Sequence, residues 1–345
     1  MASRVPLFFL LPLLILLSAC GGTTGPEIVD EFDDLTLEQI TILPYGNYRA
    51  IAFADERTGV VAGYDGAMAR TTDGGASWEP VEHDSLLVFL DAVFVSETIG
   101  YVVGYAHGAD RPSATHGMIR ATSDGGASWY DALLTDDRME IQKVVNVGEE
   151  LVAAIGHNAL LLSRDGGKEW SRQTFEGLGR SLTDIVFLDE NVGFIATGGT
   201  AFLRTTDGGD QWQRIDHTFE YGIYHLSSIG PDTLIGAGRF GLAKSYDSGA
   251  TWRVIPDSPE RIWAIHFTDP LRGYALGVGN NLGDDLGYDQ ASLFVTDDGG
   301  ETWYGTMDLH SPHHNLHQIT AASFPSADVG YAVGRGAVVK IERGR

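Results

Sequence analysis

Short apolar runs closed by glycine recur along this chain. They are Gly59-Val-Val-Ala-Gly63, Gly100-Tyr-Val-Val-Gly104, residues 151–156, 193–198 and 233–238, Gly273-Tyr-Ala-Leu-Gly277 and Gly330-Tyr-Ala-Val-Gly334. A second apolar stretch precedes each one: residues 48–53, 87–95, 141–147, 182–188, 223–229, 262–267 and 319–324. Short β-rich segments punctuated by glycine predict strands, here in seven successive pairs.

Between the pairs stands a polar motif, Asp-x-Gly-x-x-Trp. Its six copies run from Asp73 to Trp78, Asp124 to Trp129, Asp165 to Trp170, Asp207 to Trp212, Asp247 to Trp252 and Asp298 to Trp303, and they take six of the seven tryptophans. An Asp at the start of a reversal accepts bonds from backbone N–H groups just ahead. The second glycine suits a positive φ. Each copy therefore predicts a hairpin turn tied down by its Asp, with the Trp as an apolar wedge between sheets. The motif resembles the Asp-box, or BNR repeat. That resemblance implies a β-propeller in which the box joins the third and fourth strands of each blade, away from the working face.

The tryptophans recur every 40 to 42 residues, apart from two intervals of 51 lengthened by polar insertions at 105–116 and 279–290. A period near 40 fits a four-stranded blade. The seven strand pairs against six boxes leave a last unit with three strands, the third at 337–341. A ring must close, because an open sheet edge invites aggregation. The spare strand is 37–43, Leu-Glu-Gln-Ile-Thr-Ile-Leu. The expected fold is all-β: a single seven-bladed β-propeller over residues 37–342, its last blade closed by an N-terminal strand.

The first residues add a destination. Arg4 precedes an almost wholly apolar run, and Leu17-Ser18-Ala19-Cys20 resembles a bacterial lipobox. That resemblance implies a lipoprotein signal peptide at 1–19, lipid on Cys20, and a flexible acidic tether at 20–36. Cys20 is the only cysteine, so disulfides are not expected in the processed protein. With no Asp after Cys20, outer-membrane retention is implied in a host with two membranes. The 345 residues carry 47 Asp+Glu against 23 Lys+Arg, a formal net charge of −24, which argues against nucleic acid as a partner.

Second-to-third turns and blade-to-blade connections fall on the face opposite the boxes. Arg49, Tyr64, His157, His225, Arg239, Trp263 and Arg335 are the binding candidates there, a set suited to a peptide or protein. His310, His313, His314 and His317 are weak metal candidates, since their Pro-containing loop has no acidic residue and no regular element to fix a ligand geometry. No metal and no cofactor is expected. Sialidases also carry Asp-boxes, but the Arg-Ile-Pro motif of that family is missing ahead of Trp78, where Tyr48-Arg49-Ala50 stands, and that family has six blades.

Over nearly all of 37–342 the Gly-Tyr-Ala-Val-Gly strands and Asp-x-Gly-x-x-Trp turns resemble propellers of the photosystem II stability/assembly factor type. The resemblance implies a monomeric, lipid-anchored assembly scaffold of the cell envelope that binds protein without catalysis. Members of that type present an arginine-lined patch, and Arg70, Arg204 and Lys244 stand at the equivalent place, three residues before the box Asp. The alternative is a glycan-binding or glycoside-hydrolase propeller.

Overall fold

Seven antiparallel sheets of four strands each make up the computed structural model, which describes residues 35–40, 47–108, 111–178, 181–199, 201–216, 222–278, 291–308, 319–334 and 337–343. In sheet order the first six blades are consecutive meanders. Their inner strands are Tyr48–Phe53, Leu87–Phe94, Lys143–Val147, Asp184–Phe187, Ile223–Ser228 and Ile262–Phe267. The seventh blade starts with Ile319–Ser323 and continues through Val329–Gly334 and Ala337–Arg343. Its outer strand is Leu35–Ile40, from the other end of the described chain.

The closing strand is in place, but it begins two residues earlier than the sequence pattern suggested. Leu35 pairs with Arg343 and Ile40 with Val338, while 41–43 lie outside the described residues. Leu35 is buried, and that apolar anchor draws the strand start back into the segment expected to be tether. The insertion at 105–116 also differs from a loop. It prolongs the second and third strands of blade two, Gly100–Gly108 and Arg111–Thr122, with Tyr105 opposite Gly117 and Ala106 opposite His116. The second insertion, 279–290, lies outside the described residues.

The core is divided among seven apolar clusters, one in each seam between neighbouring blades. Six seams hold a motif tryptophan wedged from the later blade against the earlier one: Trp78, Trp129, Trp170, Trp212, Trp252 and Trp303. The seam between blades six and seven has no tryptophan, because the seventh blade lacks the turn. There Leu35 and Leu37 of the closing strand pack beside Tyr274, Leu293 and Val339, and Phe324 stacks on Tyr274 at 4.4 Å.

The six turns share one hydrogen-bond plan. In the first, Asp73 Oδ1 accepts from the Ser77 amide at 2.9 Å and from the Thr71 hydroxyl at 2.8 Å, and Thr71 Oγ1 accepts from the Gly75 amide. Gly75 has φ +80°, a conformation that costs any residue with a Cβ. The Trp78 indole N–H closes the turn on the Gly75 carbonyl at 3.1 Å, and each of the other five tryptophans repeats that bond. These bonds hold the Asp73 carboxyl down to about 2, with the Ser77 hydroxyl the largest cause, then the Ser77 amide and the Thr71 hydroxyl.

Candidate functional site: the mouth of the central channel

The turns and the candidate binding residues occupy opposite ends of the ring. Each turn is tied to the loop between the first and second strands of its own blade: Gly74 N–H donates to Arg57 O, Gly125 to Thr98, Gly166 to Glu150, Gly208 to Asn191, Ser248 to Asp232 and Gly299 to Leu271. Antiparallel pairing puts the starts of the inner strands and the second-to-third turns at the other end, where the Tyr64 amide bonds Asn47 O.

At that end the inner strands carry a β-bulge at the same place in every blade. Arg49, Leu90, Tyr224, Trp263 and Thr320 are the extra residues where the pairing register shifts. Gln142 and Thr183 do the same in blades three and four. Each donates its amide to the residue that also faces the next position, Ile155 for Gln142 and Ala196 for Thr183. A bulge re-aims its side chain out of the sheet. Here six of the seven, all but Tyr224, line a central channel of about 820 Å³. The Tyr224 ring lies over Gly198 instead, where a Cβ would meet it at 3.1 Å.

One residue deeper, the chain places Ala50, Asp91, Lys143, Asp184, His225, Ala264 and Ala321 at equivalent positions. Four consecutive blades are thus polar at this level, and three carry alanine. Lys143 Nζ lies 3.6 Å from Asp91 Oδ2. Asp91 also accepts the Val144 amide at 3.0 Å, and Asp184 accepts the Leu226 amide at 2.9 Å. Each carboxylate therefore caps the inner edge of the next blade, where a backbone N–H would otherwise face the channel unpaired. Burial pushes both carboxyls up, opposed chiefly by the Lys143 ammonium. Asp91 in turn holds Lys143 firmly protonated. The Lys143 side chain keeps 37% of its accessible area, because water in the channel reaches it although protein surrounds it.

His225 Nδ1 approaches Asp184 Oδ2 at 3.8 Å. Burial, then the Lys143 charge, hold this imidazole down to about 4, so at neutral pH the contact is not an ion pair. His266, stacked on Phe324 at 5.1 Å, is held down to about 4 by the same two causes.

Of the residues singled out in the sequence, the channel brings together Arg49, Tyr64, His225 and Trp263. Arg49 lies over the Tyr64 ring at 5.7 Å, and Trp263 is 46% exposed. His157 and Arg239 stand in second-to-third turns outside the channel lining: His157 carries φ +47° beside Ser181, and Arg239 lies over Phe240. Arg335, Cys20 and the four histidines at 310, 313, 314 and 317 lie outside the described residues. The Asp91–Lys143–Asp184 belt, Tyr105 and Glu140 were missed. Asp91, Lys143 and Asp184 sit on apolar-looking strands, where only their common step after the bulge marks them, and Tyr105 and Glu140 carry no shared position in the repeat.

The basic residues ahead of the turns serve the fold. Arg70 Nε donates to Gly125 O at 2.7 Å and Lys244 Nζ to Gly299 O at 2.6 Å, each clamping the turn of the next blade. Arg164 does the same to Gly208 O at 2.9 Å. Arg204 lies over Phe194 at 5.8 Å. Arg70 and Lys244, two of the three residues at the place of the arginine-lined patch, are thus engaged in seams at the turn end.

No family model matches the chain. It is 26% identical over 199 residues to the photosystem II assembly lipoprotein Ycf48 of Synechococcus sp. (strain CC9902), covering 56% of this chain and 54% of that protein. The chain thus spans about half the length of that relative. It is 24% identical over 295 residues to the photosystem II assembly protein Ycf48 of Thermosynechococcus vestitus, covering 84% and 79%. A probable oligoxyloglucan-reducing end-specific xyloglucanase of Neosartorya fischeri is 24% identical over 289 residues, covering 71% of this chain and 35% of that enzyme. Among solved structures, YCF48 bound to a D1 peptide superposes with TM-score 0.67 at 18% identity, over 93% of this chain and all of that one. The Niastella koreensis GH74 enzyme superposes with TM-score 0.68 at 14% identity, over 88% and 53%. By sequence and by fold, the chain is a seven-bladed β-propeller similar to the photosystem II assembly protein Ycf48.

Proposed function

We propose that this chain is a protein-binding assembly scaffold that grips a polypeptide at the channel mouth and does not alter it chemically. The observation that carries the reading is the likeness to two proteins named for photosystem II assembly, one of them a lipoprotein. The solved relative with a D1 peptide bound gives the same fold a polypeptide ligand. The mouth supports it, since Arg, Tyr and Trp are the side chains that most often dominate protein recognition. Arg49, Tyr64, Tyr105 and Trp263 gather there. The rest of the reading follows the sequence: signal peptide 1–19, lipid on Cys20, a tether to the first strand, and a monomer at the surface of an envelope membrane. Arg239, His157 and Arg335 belong to the surrounding rim.

The second reading is glycoside hydrolysis, favoured by the likeness to the xyloglucanase and the GH74 enzyme. Such chemistry needs two carboxyl groups free to flank a bond. Asp91 and Asp184 are instead committed to backbone amides of the next blade. Affinity capture from solubilised membranes tests the first reading: wild type retains a discrete protein that Trp263→Ala and Arg49→Ala release. Turnover of a xyloglucan oligosaccharide, abolished in Asp91→Asn or Asp184→Asn, would replace it with the second.

A further inference from the structure

The seven bulges set one residue apart in each blade, six of them at the mouth, and these residues do not repeat from blade to blade as the strand residues do. In order they are Arg49, Leu90, Gln142, Thr183, Tyr224, Trp263 and Thr320. We propose that five of the six channel-facing members, Thr320 excepted, form a specificity ring that reads one extended, uncharged polypeptide segment. This deepens the scaffold reading and rests on it.

The chemistry of the wall selects the ligand. Arg49 is the one charge in the ring, and Glu140 and Tyr105 lie on the same wall. Below, the Lys143 ammonium sits between Asp91 and Asp184. Two positive and three negative groups are interspersed on this wall, so it presents no block of one sign to a strongly acidic or strongly basic partner. Arg49 offers donors and Glu140 an acceptor, the pair that a peptide backbone needs for its C=O and N–H. An extended chain presents both groups, whereas a helix has already used its own. Among the described residues, Arg49 has no carboxylate partner. Trp263, nearly half exposed, gives a flat platform for an apolar side chain. Leu90, in blade two, is a second and separate apolar contact, and Gln142 and Thr183 add polar, neutral ones. Thr320 has a different duty, because its hydroxyl bridges Tyr48 O and Val333 O across the last seam.

The test pans a displayed library of random peptides of about twelve residues against the purified propeller at about 0.1 M and about 1 M NaCl. The expected winners are net-neutral sequences with an aromatic or long apolar residue, whose affinity is equal at both salts. Trp263→Ala should weaken them by at least about tenfold, and Leu90→Asp should change which sequences win. Circular dichroism of both variants should match wild type. Charged winners whose binding falls steeply with salt would overturn the proposal, as would binding indifferent to Trp263 and Leu90. Displacement of the winners by xyloglucan oligosaccharide would show a sugar site and overturn both this inference and the scaffold reading. If no peptide is selected while a folded protein is captured from membranes and released by Trp263→Ala, the scaffold reading stands and the extended-segment inference falls.

Discussion

Tyr331, in the last blade, donates a 2.8 Å hydrogen bond to the carbonyl of Gly74, in the first. The same bond runs from Tyr101 of blade two to Gly166 of blade three at 2.7 Å. Tyr101 and Tyr331 of the Gly-Tyr strands are thus latches on the turn of the next blade, and Tyr331 latches the ring shut. Phe53 of blade one stacks on the same ring at 3.9 Å. Tyr331→Phe keeps the packing and loses the bond, which costs about 1 kcal/mol and lowers Tm by about 2 °C. Burial pushes the Tyr331 phenol up to about 12. A group whose folded pKa is raised contributes stability below its unfolded value, about 10, and loses it as pH climbs through about 12. Wild type should therefore lose stability across that alkaline window more steeply than Tyr331→Phe, as read by thermal melts at stepped pH.

Leu35 takes over in the one seam that has no tryptophan. Leu35→Ala should cost about 2–3 kcal/mol, as deletion of a buried leucine side chain does. Leu35→Asp should cost more and release the whole closing strand, baring the edge of Ala337–Arg343 for intermolecular pairing. Urea melts give the first value, and light scattering of the Asp variant reports the second.

Acid should destabilise the fold in two steps with different owners. His225 and His266 have folded values near 4, below the unfolded value near 6.5. Protonation therefore favours the unfolded chain, and stability falls as pH drops from about 6.5 through 4, by on the order of 1–3 kcal/mol per histidine. Asp73 and Asp124 have folded values near 2, so their contribution is present above about 4 and is lost as pH falls from there through 2. The raised carboxyls Asp91 and Asp184 act in the opposite sense and soften the second step. A His225→Gln/His266→Gln double variant should flatten the first step only, and Asp73→Asn/Asp124→Asn should flatten the second only, in denaturant melts from pH 8 to about 2.

Lys143 offsets two carboxylates that also serve as caps. Lys143→Met should destabilise by about 2–3 kcal/mol, less than for a fully buried pair because channel water reaches it. Adding Asp91→Asn should restore much of that loss, since the amide still accepts the Val144 N–H without needing a counter-charge. A double-mutant cycle of urea midpoints reads the coupling directly.

The fold was legible in the sequence because the elements that define it repeat: seven glycine-bounded strands count the blades, and six tryptophans mark six seams. Strand ends were less legible. Leu35 belongs to the ring although the residues before it look like tether, because a lone buried leucine leaves no periodic signal. The mouth was half legible. Arg49, Tyr64, His225 and Trp263 stood out by residue type, and all four line the channel. Lys143, Asp91 and Asp184 did not, because their register at one level appears only when the bulges align the blades. Arg70 and Lys244 looked like a surface patch by position, yet their side chains reach across seams to carbonyls that no linear pattern displays.

The most direct measurement places a photo-crosslinking residue at position 263 in one variant and at position 77, in a turn at the opposite end, in another, and irradiates cells of the native host. A discrete protein adduct from position 263, with none from position 77, is the expected result. An adduct from position 77 alone, or no protein adduct from either, would contradict a scaffold that works from the channel mouth.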